Sequence, residues 1–307
     1  ARNHCRERIY LATKLPHYLI KSVEGAQKMF EEELRRLQTD YIDYYLMHML
    51  TDLPTWEKLK KLGMEDWIRE KKASGEIRNI GFSYHGRSDM FMQLIDAYDW
   101  DFCQIQYNYM DEHSQAGVEG LRYAHAKGIP VIIMEPVKGG MLANPPETVA
   151  QVLKDAEPDS SVASWAVRFA ANLEGVITVL SGMSNVEQMK DNLSYMKDFH
   201  GLSDTEKAAL KKAQEELAKI PLIPCTSCNY CAKVCPQDIG ISGSFTAMNY
   251  LTLYKDKGLA LHQENWLVKD HGRNRADQCI KCGECEAVCP QHIQIRDNLE
   301  KVVEALL

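Results

Sequence analysis

Eight of the chain's ten cysteines fall in two runs of identical spacing. The first reads Cys225-x-x-Cys228-x-x-Cys231-x-x-x-Cys235-Pro236, and the second Cys279-x-x-Cys282-x-x-Cys285-x-x-x-Cys289-Pro290. A cubane of four irons and four sulfides needs four thiolates converging from different directions, and this is the spacing by which small proteins hold two such clusters. Cysteines at i, i+3 and i+6 can wrap one cluster with a single turn of backbone. By the fourth cysteine the chain has passed that cluster, so it ligates the other one, and the proline after it ends the local turn. The expected assignment is therefore crossed. One cluster takes Cys225, Cys228, Cys231 and Cys289, and the other takes Cys279, Cys282, Cys285 and Cys235.

A structural zinc site needs two Cys-x-x-Cys pairs per metal, and each run here carries a surplus third and fourth cysteine. Disulfides are disfavoured because the sequence shows no secretory signal and reducing compartments keep thiols reduced. Cys5 and Cys103, outside the runs, read as inert thiols. His17, His85 and His113 read as solvated loop residues rather than metal ligands.

A chain of 307 residues accommodates one large domain and one small one. Its 45% hydrophobic and 26% charged residues are ordinary for a globular protein. With a net charge of -7 and no basic stripe, nucleic acid is a poor partner. No apolar run approaches the ~18 residues of a membrane span. The first residues are polar and lack an apolar signal core, so the expected location is cytoplasmic.

Short apolar runs recur between helical patterns. Ile9–Lys14, Asp40–His48, Ile77–Ser83, Phe102–Tyr107, Pro130–Glu135 and Val176–Ser181 predict six buried strands. Helices are expected from Ser22, over Trp67–Ala73 ending at Gly75, over Val118–Lys127 ending at Gly128, over Ser161–Asn172 with Trp165 and Phe169 in the core, and over Val186–Leu193. Alternating strand and helix argues for a parallel sheet covered by helices. No Gly-x-Gly-x-x-Gly turn follows any strand, which weakens an open dinucleotide-binding sheet. Lys14, His48, Ser83, Tyr107, Glu135 and Gly182 stand where strands end, as active-site residues do on the rim of a (β/α)8 barrel. The expected fold is thus a (β/α)8 TIM-type barrel, of which about six of eight strands are present, followed by a small, mainly helical ferredoxin-like Fe–S domain. Ser203-Asp-Thr-Glu206 is a capping box that starts a helix to about Lys219. Pro221 and Pro224 then mark a boundary, giving domains at 1–220 and 221–307. The segment between the cysteine runs reads as helical, and Asn298–Leu307 as a closing amphipathic helix.

Six motifs in order, Leu11-Ala-Thr-Lys14, Tyr41–His48, Ile80-Gly-Phe-Ser83, Cys103–Asn108, Glu135–Gly140 and Gly182–Asn192, resemble the aldo/keto reductase family over about residues 7 to 200. The C-terminal part resembles the branch of that family carrying a two-cluster ferredoxin module. The resemblance implies a (β/α)8 barrel that transfers hydride between NADP or NAD and a small carbonyl or alcohol substrate. It implies that Lys14 is the family lysine and His48 the family histidine. It further implies that Ser83 and Gln104 meet the nicotinamide carboxamide, Gly139 and Gly140 the pyrophosphate, and Gly182, Asp191 and Asn192 the adenine end. An Asn often follows the family Ser, and Tyr84 stands there here. Gly182 and Gln188 occupy positions where many members carry a basic clamp for a 2′-phosphate. The family's Asp and Tyr have no match in this sequence, so the resemblance places them on strands ahead of it.

Three functions are compatible with this sequence. In the first, the barrel does nicotinamide-dependent carbonyl or alcohol chemistry and the clusters transfer electrons, with a redox protein as a possible partner. In the second, the barrel is a non-catalytic scaffold carrying an electron-transfer module. In the third, the clusters are purely structural. Hydride carries two electrons together and each cluster passes one, so exchange between them needs a mediator. The crossed assignment has a direct test. Cys225→Ala and Cys289→Ala should each remove about four irons and the same spectroscopic signal; loss of different signals would show that each run serves a single cluster.

Overall fold

The computed structural model describes residues 5–199, 201–225, 229–289 and 291–307. The six apolar runs pair as one parallel sheet in sequence order: β1 (Ala12–Leu15), β2 (Ile42–Met47), β3 (Ile77–Tyr84), β4 (Phe102–Gln106), β5 (Val131–Met134) and β6 (Val176–Val179). Each neighbour follows the last, the arrangement of successive β/α units in a TIM-type barrel. Among the described residues β1 and β6 each keep one unpaired edge.

The helices are α1 (Val23–Leu37), α2 (Leu53–Lys61), α3 (Met64–Ser74), α4 (Ser88–Asp96), α5 (Gly117–Ala126), α6 (Glu147–Ala156), α7 (Val162–Ala171), α8 (Val186–Met196) and α9 (Asp204–Ala218). Their ends follow local chemistry. Ser22 caps α1 by accepting from Gly25 N–H (3.3 Å), and Asn185 caps α8 by accepting from Gln188 N–H (2.8 Å). At α9 the capping box closes both ways: Glu206 N–H donates to Ser203 Oγ (3.2 Å) and Ser203 N–H to Glu206 Oε2 (2.7 Å).

Successive residues of a strand face opposite sides, and the two faces here differ. Tyr45, Met47, Ile80, Phe82, Cys103, Ile105, Val131 and Ile133 face the helices and share the main core with Phe30, Trp56, Trp67 and Phe91. Each such side chain buried contributes roughly 1.5–3 kcal/mol. On the other face Tyr44, Leu46, Phe102 and Ile132 form a smaller cluster. There Gly81 is paired with Phe102, and a Cβ at Gly81 would lie 2.5 Å from the Phe102 carbonyl oxygen and 2.8 Å from its ring. Only glycine allows that approach.

The base of the sheet is locked by a charge. Asp43 on β2 is 1% exposed, accepts from Leu11 N–H (2.9 Å), and pairs with Arg6 (2.8 Å) and Arg78 (2.9 Å). Both guanidinium carbons also stand over the Tyr41 ring, at 3.7 and 3.8 Å from its centroid. The segment before β1, β2 and β3 are thereby joined through one carboxylate.

The contacts divide the chain into two compact units, Ala1–Asn144 with Leu153–Leu210, and Pro145–Val152 with Lys211–Leu307. The second contains α10 (Tyr230–Val234), α11 (Ile241–Tyr254), α12 (Lys257–Lys269), α13 (Glu284–Ala287) and α14 (Ile295–Leu306). Its core gathers Ile239, Ile241, Phe245, Ala260, Ile293, Leu299 and Val302 around Cys231 and Cys285. The segment between the cysteine runs is helical as its sequence indicates, and the closing helix begins at Ile295, ahead of the expected Asn298. Among the described residues no helix is long and apolar enough to cross a membrane.

Two measurements test this account. Asp43→Ala leaves two guanidinium groups without their buried partner and should lower unfolding stability by about 3–5 kcal/mol in denaturant titrations; a loss below ~1 kcal/mol would show the lock to be incidental. Burial of Glu33 on α1 pushes its carboxyl up to about 7 from 4.5. The folded chain thus holds this proton more tightly, and the stability it lends is full below pH 4.5 and fades as pH rises through about 7. Glu33→Gln should flatten that decline; identical pH slopes for the two proteins would remove Glu33 from it.

Candidate functional site

Lys14, Ser83 and Gln104 lie on the face of the sheet opposite the helices. Lys14 is in register with Leu46, and Ser83 with Gln104, which is in register with Ile132. His48 continues the alternation of Tyr44 and Leu46 one step past β2, and its N–H donates to Leu15 O (2.9 Å). Parallel pairing thus brings four of the expected residues to one face, Lys14 and His48 beside each other at the strands' C-terminal edge.

This edge is polar and dry. Ser83, Gln104, Gln106 and Asn108 are all buried, where uncharged polar groups are seldom found without a task. Ser83 Oγ accepts from Met49 N–H (3.0 Å), fixing the turn after His48 in which Met49 is left-handed (φ 55°). Gln104 Nε2 faces Met134 Sδ (3.0 Å). Tyr84, where an Asn was the family expectation, belongs to the core: it is fully buried, packs on Phe82 and Phe91, and donates its hydroxyl to Arg87 O.

Burial lowers the affinity of Lys14 for its proton, with Glu135 opposing. Burial also lowers that of His48, and the charges of Lys14, His17 and His85 add to the effect, favouring a neutral imidazole. The Tyr18 hydroxyl lies 3.3 Å from His48 Nδ1, and the two rings are tilted against each other. His17 corrects its sequence reading as a solvated loop residue. It is 7% exposed, because the turn after β1 folds it under the rim, with Nε2 3.4 Å from Met49 O.

A network absent from the sequence reading holds the opposite side. Asp111 receives Gln106 Nε2 (3.0 Å), Asn108 Nδ2 (3.2 Å) and the Lys138 ammonium. Asn108 Oδ1 accepts from Met110 N–H and Asp111 N–H, both at 3.0 Å, and its Nδ2 also donates to Glu135 O (3.3 Å). The loops after β4 and β5 are thereby tied beside the turn that follows Lys138. In that turn Gly139 and Gly140 have φ of 66° and 96°, and a Cβ at either would meet nothing within 4 Å. Open backbone of this kind suits an anionic ligand. Gly182 is likewise open. Asp191 and Asn192 are engaged locally: Asp191 accepts from Ser161 Oγ (2.7 Å), and Asn192 Nδ2 donates to Ser181 Oγ (2.7 Å). The buried alternation Gln104, Gln106, Asn108 was the available signal for this network.

In the second unit, Cys235, Cys279, Cys282 and Cys285 line one cavity together with Ile239, Ile241, Gly283 and Arg296. Three come from the second run and one from the first, the set expected of a crossed cluster. Burial pushes the Cys285 thiol up to about 11, with Glu286, Cys279 and Cys235 adding to the push. A buried thiol that resists losing its proton needs a cationic centre to hold it as a thiolate, which an iron–sulfur cluster provides. Lys281 N–H donates to Cys279 Sγ (3.4 Å), and the chain thus also supplies a backbone bond to sulfur. Among the described residues no three Cys, His, Asp or Glu side chains converge closely enough to hold a single metal ion, although four thiols line one cavity. Of the other set, Cys225, Cys231 and Cys289 pack into the unit's core. Cys228 and Pro290 lie outside the described residues.

Comparison with known proteins finds matches for both parts of the chain. Residues 1–215 match the aldo/keto reductase family profile, and residues 224–293 match that of the 4Fe-4S dicluster domain. An L-galactose dehydrogenase from Arabidopsis thaliana is 24% identical over 219 residues, covering 66% of this chain and 65% of its own. An NAD/NADP-dependent indole-3-acetaldehyde reductase from Schizosaccharomyces pombe is 25% identical over 196 residues, covering 62% of this chain and 64% of its own. The chain thus spans just under two thirds of the length of these relatives. The solved aldo-keto reductase AKR11C1 from Bacillus halodurans shares the fold with a TM-score of 0.56 at 23% identity, over 69% of this chain and 74% of its own. This chain belongs to the aldo/keto reductase family and carries a 4Fe-4S dicluster domain at its C-terminal end.

Proposed function

We propose that the protein is a nicotinamide-dependent oxidoreductase of small carbonyl or alcohol compounds, and that its dicluster domain passes electrons to or from a redox partner. The observation that carries the reading is the meeting of half-buried Lys14 and His48 at the C-terminal edge of a sheet whose other rim residues are buried and polar. When bound, a nicotinamide gives or takes the hydride, and the clusters carry single electrons. Lys14 places a cation where the substrate oxygen becomes negative. His48 favours the neutral form, and the tautomer in which Nδ1 accepts from the Tyr18 O–H leaves Nε2–H to orient that oxygen. Ser83 and Gln104 hold the carboxamide, the Gly139–Gly140 turn offers its backbone N–H groups to the pyrophosphate, and Gly182, Asp191 and Asn192 meet the adenine end.

The unpaired edges of β1 and β6 support closure of the barrel by further strands carrying the family's Asp and Tyr. At the second edge Ile177 and Leu180 remain 50% and 42% exposed. We place the domain boundary near residue 220, at the end of α9 and beyond the contact-based division between Leu210 and Lys211, and take the setting as cytoplasmic.

The test uses the complete protein, purified anaerobically. Lys14→Met should reduce carbonyl turnover by a factor of roughly 10² or more while iron content and cluster spectra stay unchanged. Unaltered turnover would remove Lys14 from the mechanism.

A further inference from the structure

The two cysteine runs repeat one another in backbone as well as in sequence. Asn229 and Gly283, each following the second cysteine, are both left-handed, with φ of 58° and 84°. Asp238 and His292, three residues after the fourth cysteine, both have φ 50°. The third cysteines, Cys231 and Cys285, are buried in the short helices α10 and α13, which pack on each other. Ile239 and Ile293, then Ile241 and Ile295, fill equivalent places in the core.

On this common frame several aligned positions differ, three of which bear on the charge beside the cavity. Ala232, Asn229 and Ser242 of the first run correspond to Glu286, Gly283 and Arg296 of the second. In the first, Ser242 Oγ donates to Asn229 Oδ1 (2.5 Å), an uncharged pair. In the second, a guanidinium lies beside the glycine: a Cβ on Gly283 would be in ordinary van der Waals contact with it, 3.8 Å from Arg296 Cζ and 3.9 Å from its Nη1. Glu286 holds that guanidinium from the side, accepting from Nε (3.0 Å) and Nη2 (2.8 Å), and it also accepts from Arg296 backbone N–H (2.9 Å). Arg296 lines the cavity with Cys235, Cys279, Cys282 and Cys285; Glu286 does not. The cation within the first run, Lys233, stands 5.7 Å from the Tyr230 ring centroid; like Arg296 it is exposed, and what separates the two is that Glu286 fixes Arg296 where it lines the cavity.

A cluster gains one negative charge on reduction, and its potential follows net charge and hydrogen bonding near the sulfurs. We propose that Arg296 raises the potential of the cluster held by Cys279, Cys282, Cys285 and Cys235 above that of its twin, so that the first electron entering the module settles there. This rests on the reading of the cysteine runs as cluster ligands. The step moves one electron from a low-potential one-electron donor and makes or breaks no bond to the protein.

The test is a dithionite titration of the anaerobically reconstituted full chain, followed by electron paramagnetic resonance, with iron assayed in parallel. About eight irons per chain uphold the cluster reading, and a chain without them overturns that reading and the inference with it. Given eight, the wild type should reduce in two separate steps. Arg296→Gln should lower only the higher midpoint, and Arg296→Lys should restore most of the shift. An Arg296→Gln protein with both midpoints unmoved, or with only the lower one moved, overturns the assignment. If Arg296→Gln loses one cluster, Glu286→Gln decides. Removing the carboxylate while keeping the guanidinium should raise the higher midpoint, and an unchanged or lowered one overturns the assignment.

Discussion

Parallel pairing is the constraint on which the rest of the first unit depends. When every strand runs the same way, every C-terminal end reaches the same edge, and chemistry scattered between residues 14 and 140 is collected there. The opposite edge is free to serve stability, and there Asp43 gathers Arg6, Arg78 and Leu11 into one buried ionic knot. The two ends of the same strands thus carry different work. The base is held by charge paired to charge, and the rim holds buried neutral polar side chains, tied to the Asp111–Lys138 ion pair, whose hydrogen bonds shape loops.

That division explains why the rim tolerates so much buried polarity. Asn108 and Asp111 each meet several donors, and they hold two loops in the places that position the Gly139–Gly140 turn. A polar network of this sort stabilises to the extent that its members are satisfied, and here Gln106 Oε1 is left without a partner among the described residues. The dicluster unit follows another logic. Its core is small, and its thiols, packed among Ile239, Ile241, Ile293 and Ile295, are part of that core as well as ligands. Metal binding and folding are coupled wherever the ligands are also the packing.

Much of this was legible in the sequence, for local reasons. The six strands were visible because apolar runs bounded by polar residues have few other uses, and the caps at Ser22, Asn185 and Ser203 are written in adjacent residues. Strand β1 was read three residues early, since Ile9 and Tyr10 are apolar yet remain 46% and 80% exposed. Helix α2 was missed although Asp52, which caps it by accepting from Thr55 N–H (2.7 Å), and Pro54 in its first turn both announce a helix start. What the sequence hid is non-local. Arg78 meets Asp43 from 35 positions away and Lys138 meets Asp111 from 27, and no pattern of neighbours foretells such pairs. The motif residues Lys14, His48 and Ser83 were found because they stand near strand ends, and Gln104 through the family resemblance; that they share one face follows from their parity along the strands.

The knot at Asp43 has a consequence for how the sheet breathes. It ties the backbone ahead of β1 to β2 and β3, so amide protons on that flank can exchange with solvent only when a buried charge is uncovered, which is nearly a global event. The β6 flank has no comparable tether among the described residues, and its side chains are half open to water. Lys14 thus rides on the tied flank, where β1, β2 and β3 open together rather than one by one.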